Sequence, residues 1–209
     1  MTAGIPRILA AAALVWAAAS LSVQLALAWR GGRRDYSVRA GSPGRAVFYA
    51  FTAGMSPSRK ESARLHPGKF AAGVVLHAGV AVALIELGVA LVRPEAAPRW
   101  PAATAPLLFA AVAAGLYLFA RRCFSPALRA MSAPDDYISA LATAALLVAA
   151  ALRNLGAMGA PAFLVVAAGV LFYLPFGKLR HVLFCPVSRF DYARRLGWRG
   201  VWPARRGAK

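Results

Sequence analysis

The chain has 209 residues, of which 60% are hydrophobic and only 15% are charged. Soluble domains contain about 25% charged residues, so this composition indicates a membrane protein and excludes an ordinary soluble domain. The net charge of +18 does not indicate nucleic-acid binding, because the basic residues lie in the gaps between apolar runs rather than on one folded face.

Five apolar runs approach the roughly 20 residues that a membrane-spanning helix needs. They predict an all-α membrane protein with five transmembrane helices, in a single domain that covers the whole chain. The predicted helices cover residues 6–29, 69–92, 104–120, 137–153 and 161–184. The first run is too long for the apolar core of a secretory signal, so we expect it to be a retained helix.

The distribution of positive charge predicts the orientation of these helices. Twenty-one lysines and arginines lie in segments 30–70, 121–136 and 178–209, whereas four lie on the other side of the predicted helices. Positively charged loops remain in the cytoplasm, so the N-terminus is expected outside and the C-terminus inside. The segments 30–68 and 185–209 are then cytoplasmic, and the chain is multi-pass in a bacterial-type inner membrane.

Two of the three histidines lie within predicted helices. His77 is eight residues into the second helix, roughly 12 Å from the inner surface. His181 is five residues before Pro186, which is expected to end the fifth helix. Ionisable residues inside spans are functional candidates, and two imidazoles at similar depth are suitable axial ligands for the iron of a b-type haem. Lys178 and Arg180 flank His181, where they would pair with haem propionates. The alternative is a histidine hydrogen-bonded to a neighbouring carbonyl or carboxylate.

Acidic residues near the helix ends are candidates for proton transfer. Glu86 lies within the second predicted helix, nine residues after His77, where its carboxylate would accept a proton from a quinol. The alternatives are an ion pair with Arg153 or solvation at the outer boundary. Asp135 and Asp136 begin the fourth predicted helix, where the helix dipole favours negative charge; a role in proton uptake is the alternative.

Three stretches of the sequence together resemble a known family. They are KESARLHPGKFAAGVVLHAGV, RRCFSPALRAMSAPDDYISAL and LPFGKLRHVLFCPVSRFDYARR. In their order and spacing they resemble the gamma subunit of respiratory nitrate reductase, a five-helix membrane cytochrome b. The resemblance is closer to the branch that serves heterodisulfide-reductase-like and sulfite-reduction-associated complexes. It implies that His77 and His181 are ligands of the inner haem. At the positions of the outer-haem ligands this chain has Leu87 and Phe163, which cannot bind iron.

The residues and the resemblance together predict a membrane cytochrome b subunit of a respiratory oxidoreductase complex. Through haem b it would transfer electrons between the quinone pool and a cytoplasmic iron–sulfur or catalytic subunit. One haem is expected; His66 is a candidate ligand of a second haem or a proton carrier, or an interfacial histidine that precedes Pro67. The rival predictions are a haemless membrane anchor for a soluble redox enzyme and a small proton-coupled transporter.

Overall fold

The computed structural model describes residues 4–32, 36–98 and 100–203 of the chain. The described residues form α-helices and short 3₁₀ turns and no β-strand, which confirms the predicted all-α class. The α-helices are, in chain order, α1 (Gly4–Arg30), α2 (Pro43–Phe51), α3 (Glu61–Leu65), α4 (Pro67–Val92), α5 (Pro101–Phe124), α6 (Pro126–Ala130), α7 (Pro134–Asn154), α8 (Ala160–Tyr173) and α9 (His181–Trp198).

Four helices, α1, α4, α5 and α7, are long and apolar enough to cross a membrane. α8 and α9 add a fifth span only if they are counted together as one broken span. The predicted helices 6–29 and 69–92 agree closely with α1 and α4. The described chain is therefore compatible with a multi-pass membrane protein of four or five spans, and its orientation stays a prediction. Arg99, one of the arginines counted for orientation, and parts of both cytoplasmic segments lie outside the described residues.

Two helices extend beyond their predicted ends. α5 was expected to cover only 104–120, but it continues through Arg121 and Arg122 in its last turn, where the helix dipole favours positive charge. Pro101 and Pro134 begin α5 and α7. Proline suits the first helical position, where its missing N–H would have no intrahelical partner.

The prediction of one continuous helix over 161–184 is wrong. α8 ends at Tyr173, and α9 begins only at His181. Pro175 lies in the break. Because proline lacks the backbone N–H that the interior of an α-helix requires, it disfavours a continuous helix at this point. With 14 residues, α8 is about 21 Å long, which is shorter than the roughly 30 Å of a bilayer core. Pro186, which was expected to end the helix, lies inside α9.

The chain divides into two compact units. The bundle unit comprises Met1–Leu21 and Gly68–Leu179, and the hairpin unit comprises Ser22–Pro67 and Arg180–Lys209. The prediction of a single domain stays a prediction, because two compact units can belong to one membrane domain.

In the bundle unit, α7 packs against both α5 and α8. The core is rich in alanine, and its largest fully buried side chains are Phe163, Leu108, Leu147 and Leu164. Gly79 of α4 lies so close to Ala111 of α5 that a Cβ at this glycine would overlap the alanine methyl group. Small residues at helix contacts allow the backbones to approach closely, and here they position α4 against α5.

In the hairpin unit, α2 packs against α9. Ala46 of α2 and Gly197 of α9 are in close contact, since a Cβ at Gly197 would overlap the alanine methyl group. A side-chain hydrogen bond joins the two helices, since Arg189 Nε donates to the Ala50 carbonyl oxygen at 2.8 Å. A second one joins α9 to the loop before α2, since Trp198 Nε1 donates to the Ser37 carbonyl oxygen at 2.8 Å.

Candidate functional site

His77 lies on the exposed face of α4, which is otherwise apolar and includes Val74, Leu84 and Ile85. Its Nδ1 is 2.6 Å from the carbonyl oxygen of Gly73, one turn earlier. Because a carbonyl oxygen only accepts hydrogen bonds, Nδ1 carries a proton, and in the neutral imidazole the lone pair is then on Nε2. Metal-ligating histidines usually have this arrangement, in which the other ring nitrogen donates to a carbonyl or carboxylate. The predicted alternative, a hydrogen bond to a carbonyl, is therefore present and is compatible with a ligand role.

His181 does not lie within a membrane-spanning helix as predicted. It is the first residue of α9, it is exposed, and it belongs to the hairpin unit, whereas His77 belongs to the bundle unit. The predicted depth of His181 was counted from Pro186 as a helix end, and this basis is lost because Pro186 lies inside α9. The pairing of the two histidines stays a prediction.

Of the two predicted propionate partners, Lys178 forms an ion pair within the protein. Its Nζ lies 2.5 Å from Asp136 Oδ1, and Arg122 Nη1 lies 2.8 Å from the same oxygen. Asp136 Oδ2 accepts a hydrogen bond from the Ala133 backbone N–H at 3.0 Å, which confirms its predicted role at the start of a helix. Arg180 is exposed at the end of a 3₁₀ turn.

Asp135 connects the start of α7 to the segment that follows α8. It accepts hydrogen bonds from the Tyr173 hydroxyl and, at 2.8 Å, from the Lys178 backbone N–H. Ser139 Oγ donates to the same carboxylate at 3.4 Å. A Cβ at Gly177 would overlap the Tyr173 hydroxyl. These contacts fix the position of the helix break. The sequence reasoning missed Tyr173, although a tyrosine beside a Pro-Phe-Gly segment was a visible signal.

Glu86 is buried in a group of polar side chains that we call the polar cluster: Glu86, Thr104, Arg153 and Asn154. Asn154 Nδ2 donates to Glu86 Oε1 at 2.5 Å, and Thr104 Oγ1 donates to Asn154 Oδ1 at 2.5 Å. Arg153 Nη1 lies 3.7 Å from Glu86 Oε2. The ion pair that was the predicted structural alternative is thus present, and the proposed proton role of Glu86 stays a prediction. Sequence reasoning missed Thr104 and Asn154, whose signal was their polarity at the ends of apolar runs.

The polar cluster connects α4, α5 and α7, and Arg153 extends it to two further parts of the bundle unit. Arg153 Nη2 donates to the Ala96 carbonyl oxygen at 2.7 Å, and its guanidinium carbon lies 5.7 Å from the centre of the Phe163 ring. A positive charge over an aromatic face is stabilised electrostatically. The cluster therefore stabilises the end of the bundle where α4 and α7 finish.

The remaining residues named in the sequence analysis are His66, Leu87 and Phe163. His66 lies between α3 and α4, exposed and outside both helices, as expected for a residue before proline. Leu87 and Phe163, at the positions of the missing outer-haem ligands, belong to the packed core. Among the described residues no three His, Cys, Asp or Glu side chains are grouped as a metal site. A haem held by two axial ligands does not need such a group.

No protein-family model, no curated protein and no solved structure matches this chain. The resemblance to the nitrate reductase gamma subunit family, and the cofactor and partners that it implies, therefore stay predictions.

Proposed function

We propose that the chain is a membrane cytochrome b subunit with His77 and His181 as axial ligands of haem b. It would carry electrons between a membrane quinone and a cytoplasm-facing iron–sulfur or catalytic subunit of an oxidoreductase complex. The proposed setting is a bacterial-type inner membrane, with segments 30–68 and 185–209 on the cytoplasmic side.

The observation that carries this proposal is the placement of His77. An ionisable ring on the exposed, apolar face of a helix long enough to span a membrane is unfavourable in contact with lipid tails. A planar, largely apolar macrocycle that covers this face would remove the imidazole from lipid and use its Nε2 lone pair. Gly73, whose carbonyl oxygen sets the His77 tautomer, leaves open space where a side chain would begin.

The residues around His181 have different roles in this proposal. Arg180 is exposed and would pair with a propionate carboxylate. Lys178 is bound to Asp136, so it holds the chain before His181 in position and is a weaker candidate for a propionate. When bound between two imidazoles, haem b supplies reversible one-electron transfer.

Partner contacts are proposed for two regions of the chain. The buried carboxylate of Glu86 is the proposed proton acceptor for quinol oxidation, roughly 14 Å along α4 from His77. On α2, Arg45 and Phe48 are exposed. Arginine and aromatic residues are enriched in protein interfaces, so this face is the proposed docking site of the iron–sulfur subunit.

The test is a pyridine haemochrome spectrum of the purified full-length chain, expressed per mole of protein. We expect roughly one haem b per chain, because two histidine ligands hold one iron. The haem should be lost in His77→Ala and in His181→Ala and kept in the matched control His66→Ala, with helix content by circular dichroism unchanged in all three. Haem retained in His77→Ala would contradict the proposal. Two haems per chain would contradict the single site and favour a ligand role for His66.

A chain that assembles in the membrane without haem would favour the haemless anchor. The transporter receives less support from the fold. Carriers of that kind usually interrupt two corresponding helices of a repeat, whereas the described residues contain one broken span, α8 with α9.

A further inference from the structure

The two halves of α9 differ in composition. Residues 182–187, VLFCPV, contain no charged or polar side chain other than the cysteine thiol, and none of them is buried. Val182 is 49% exposed. The second half packs on α2 through Ala193 and Gly197, which are buried. The first half of α9 is therefore an apolar segment that is not buried by the described residues.

The unit that contains this apolar segment is positively charged. In the described part of the hairpin unit, eleven lysines and arginines accompany two acidic residues, Glu61 and Asp191. Asp191 is already paired with Arg194 at 3.1 Å and with Arg195 at 2.7 Å. The net charge of the unit is therefore strongly positive, and its natural complement is an anionic surface.

The length and position of the segment indicate which anionic surface it fits. Interfacial helices lie in the plane of the membrane surface, and their apolar part enters the boundary between headgroups and acyl chains by roughly 5–10 Å. Six consecutive apolar residues that are not buried are suited to that position. α9 follows α8 after seven residues that include a 3₁₀ turn. With 18 residues, it is not among the helices apolar enough to cross a membrane alone.

We propose that α9 is an interfacial helix that binds the surface of an anionic lipid leaflet. Its first half, residues 182–187, enters the headgroup–acyl boundary, and the arginines of the hairpin unit contact lipid phosphates. An acidic protein would match the positive charge equally well, but it would not account for the apolar residues 182–187 that are left unburied. This inference does not depend on haem binding.

The test measures the depth of one native side chain in lipid nanodiscs. In full-length Cys123→Ser protein, a nitroxide label on Cys185 reports from within the apolar segment, and its collision rates with oxygen and with a water-soluble nickel chelate are compared. The control places the label at Gly44→Cys on α2, in a chain without the two native cysteines, because Gly44 is exposed and its Cβ position is open. We expect a severalfold higher oxygen-to-nickel ratio at Cys185 than at Gly44→Cys.

The lipid composition separates the two parts of the proposal. We expect the Cys185 label to be deeper in discs with phosphatidylglycerol than in purely zwitterionic discs, and this difference to shrink at high salt. Val182→Glu should bring the label nearer to water, whereas the matched Ser188→Glu should do so less. A ratio equal to that of the Gly44→Cys control would overturn the proposal, and so would a label shielded from both reagents, which would indicate a protein contact. Equal depth in both lipids would overturn the role of anionic headgroups.

Discussion

Replacing Arg153 by methionine tests the polar cluster most directly. The substitution keeps the length of the side chain and leaves Glu86 buried beside Asn154 without its positive neighbour. The side chains of Glu86 and Arg153 are only 8% and 4% exposed, so water and salt screen their interaction little. Removing one partner of a buried ion pair typically costs about 3–5 kcal/mol. The hydrogen bond from Asn154 to Glu86 cannot compensate for the loss of the ion pair, because hydrogen bonds between helices inside membranes contribute only about 0.6–2 kcal/mol. We therefore expect the folding equilibrium constant to fall by about two to four orders of magnitude.

The assay is reversible unfolding of the purified chain in mixed micelles by increasing SDS, followed by tryptophan fluorescence and circular dichroism. Arg93→Met is the matched control, because Arg93 is exposed just after α4 and surface substitutions usually change stability by less than about 0.5 kcal/mol. We expect the double variant Glu86→Gln/Arg153→Met to be more stable than Arg153→Met by about 1 kcal/mol or more. The reasoning would be refuted if Arg153→Met behaved like Arg93→Met, or if the double variant were no more stable than Arg153→Met.

Two glycine substitutions give further predictions. Gly79→Val should destabilise the bundle by about 1–3 kcal/mol in the same assay, because the added carbons overlap Ala111. The control is Gly88→Val on α4, where the Cβ position is open, and it should cost clearly less. Equal costs for the two variants would contradict the close contact between Gly79 and Ala111. Gly177→Ala should disturb the helix break, because the added Cβ overlaps the Tyr173 hydroxyl. We expect faster hydrogen exchange of the backbone amides that follow α8. Unchanged exchange would show that the close approach of Gly177 to Tyr173 is not required for the break.

The long helices could be predicted from the sequence because an uninterrupted apolar run is a local signal. α1 and α4 needed no information beyond about 25 neighbouring residues. The contact between Glu86 and Arg153 was also within reach of sequence reasoning, since both were placed near helix ends on the same side of the membrane.

The break after α8 could not be predicted in the same way. It depends on Asp135, which accepts hydrogen bonds from side-chain and backbone donors 38 and 43 residues away. A hydropathy pattern treats Pro175 and Gly177 as tolerable within an apolar run, and it contains no information about such distant partners. The consequence for the candidate site is direct, because the expected depth of His181 depended on a helix that does not continue.

The packing around Leu87 and Phe163 has a consequence for cofactor engineering. The two side chains are 4% and 0% exposed, and protein interiors are packed at a density of about 0.74. Introducing histidine at both positions would place two imidazoles in the packed core, where a porphyrin would have to displace neighbouring side chains. A two-haem version of this bundle would require wider interhelical spacing before any ligand exchange. The cofactor stoichiometry that such a bundle can accept is therefore limited by its alanine-rich helix contacts as much as by the number of its histidines.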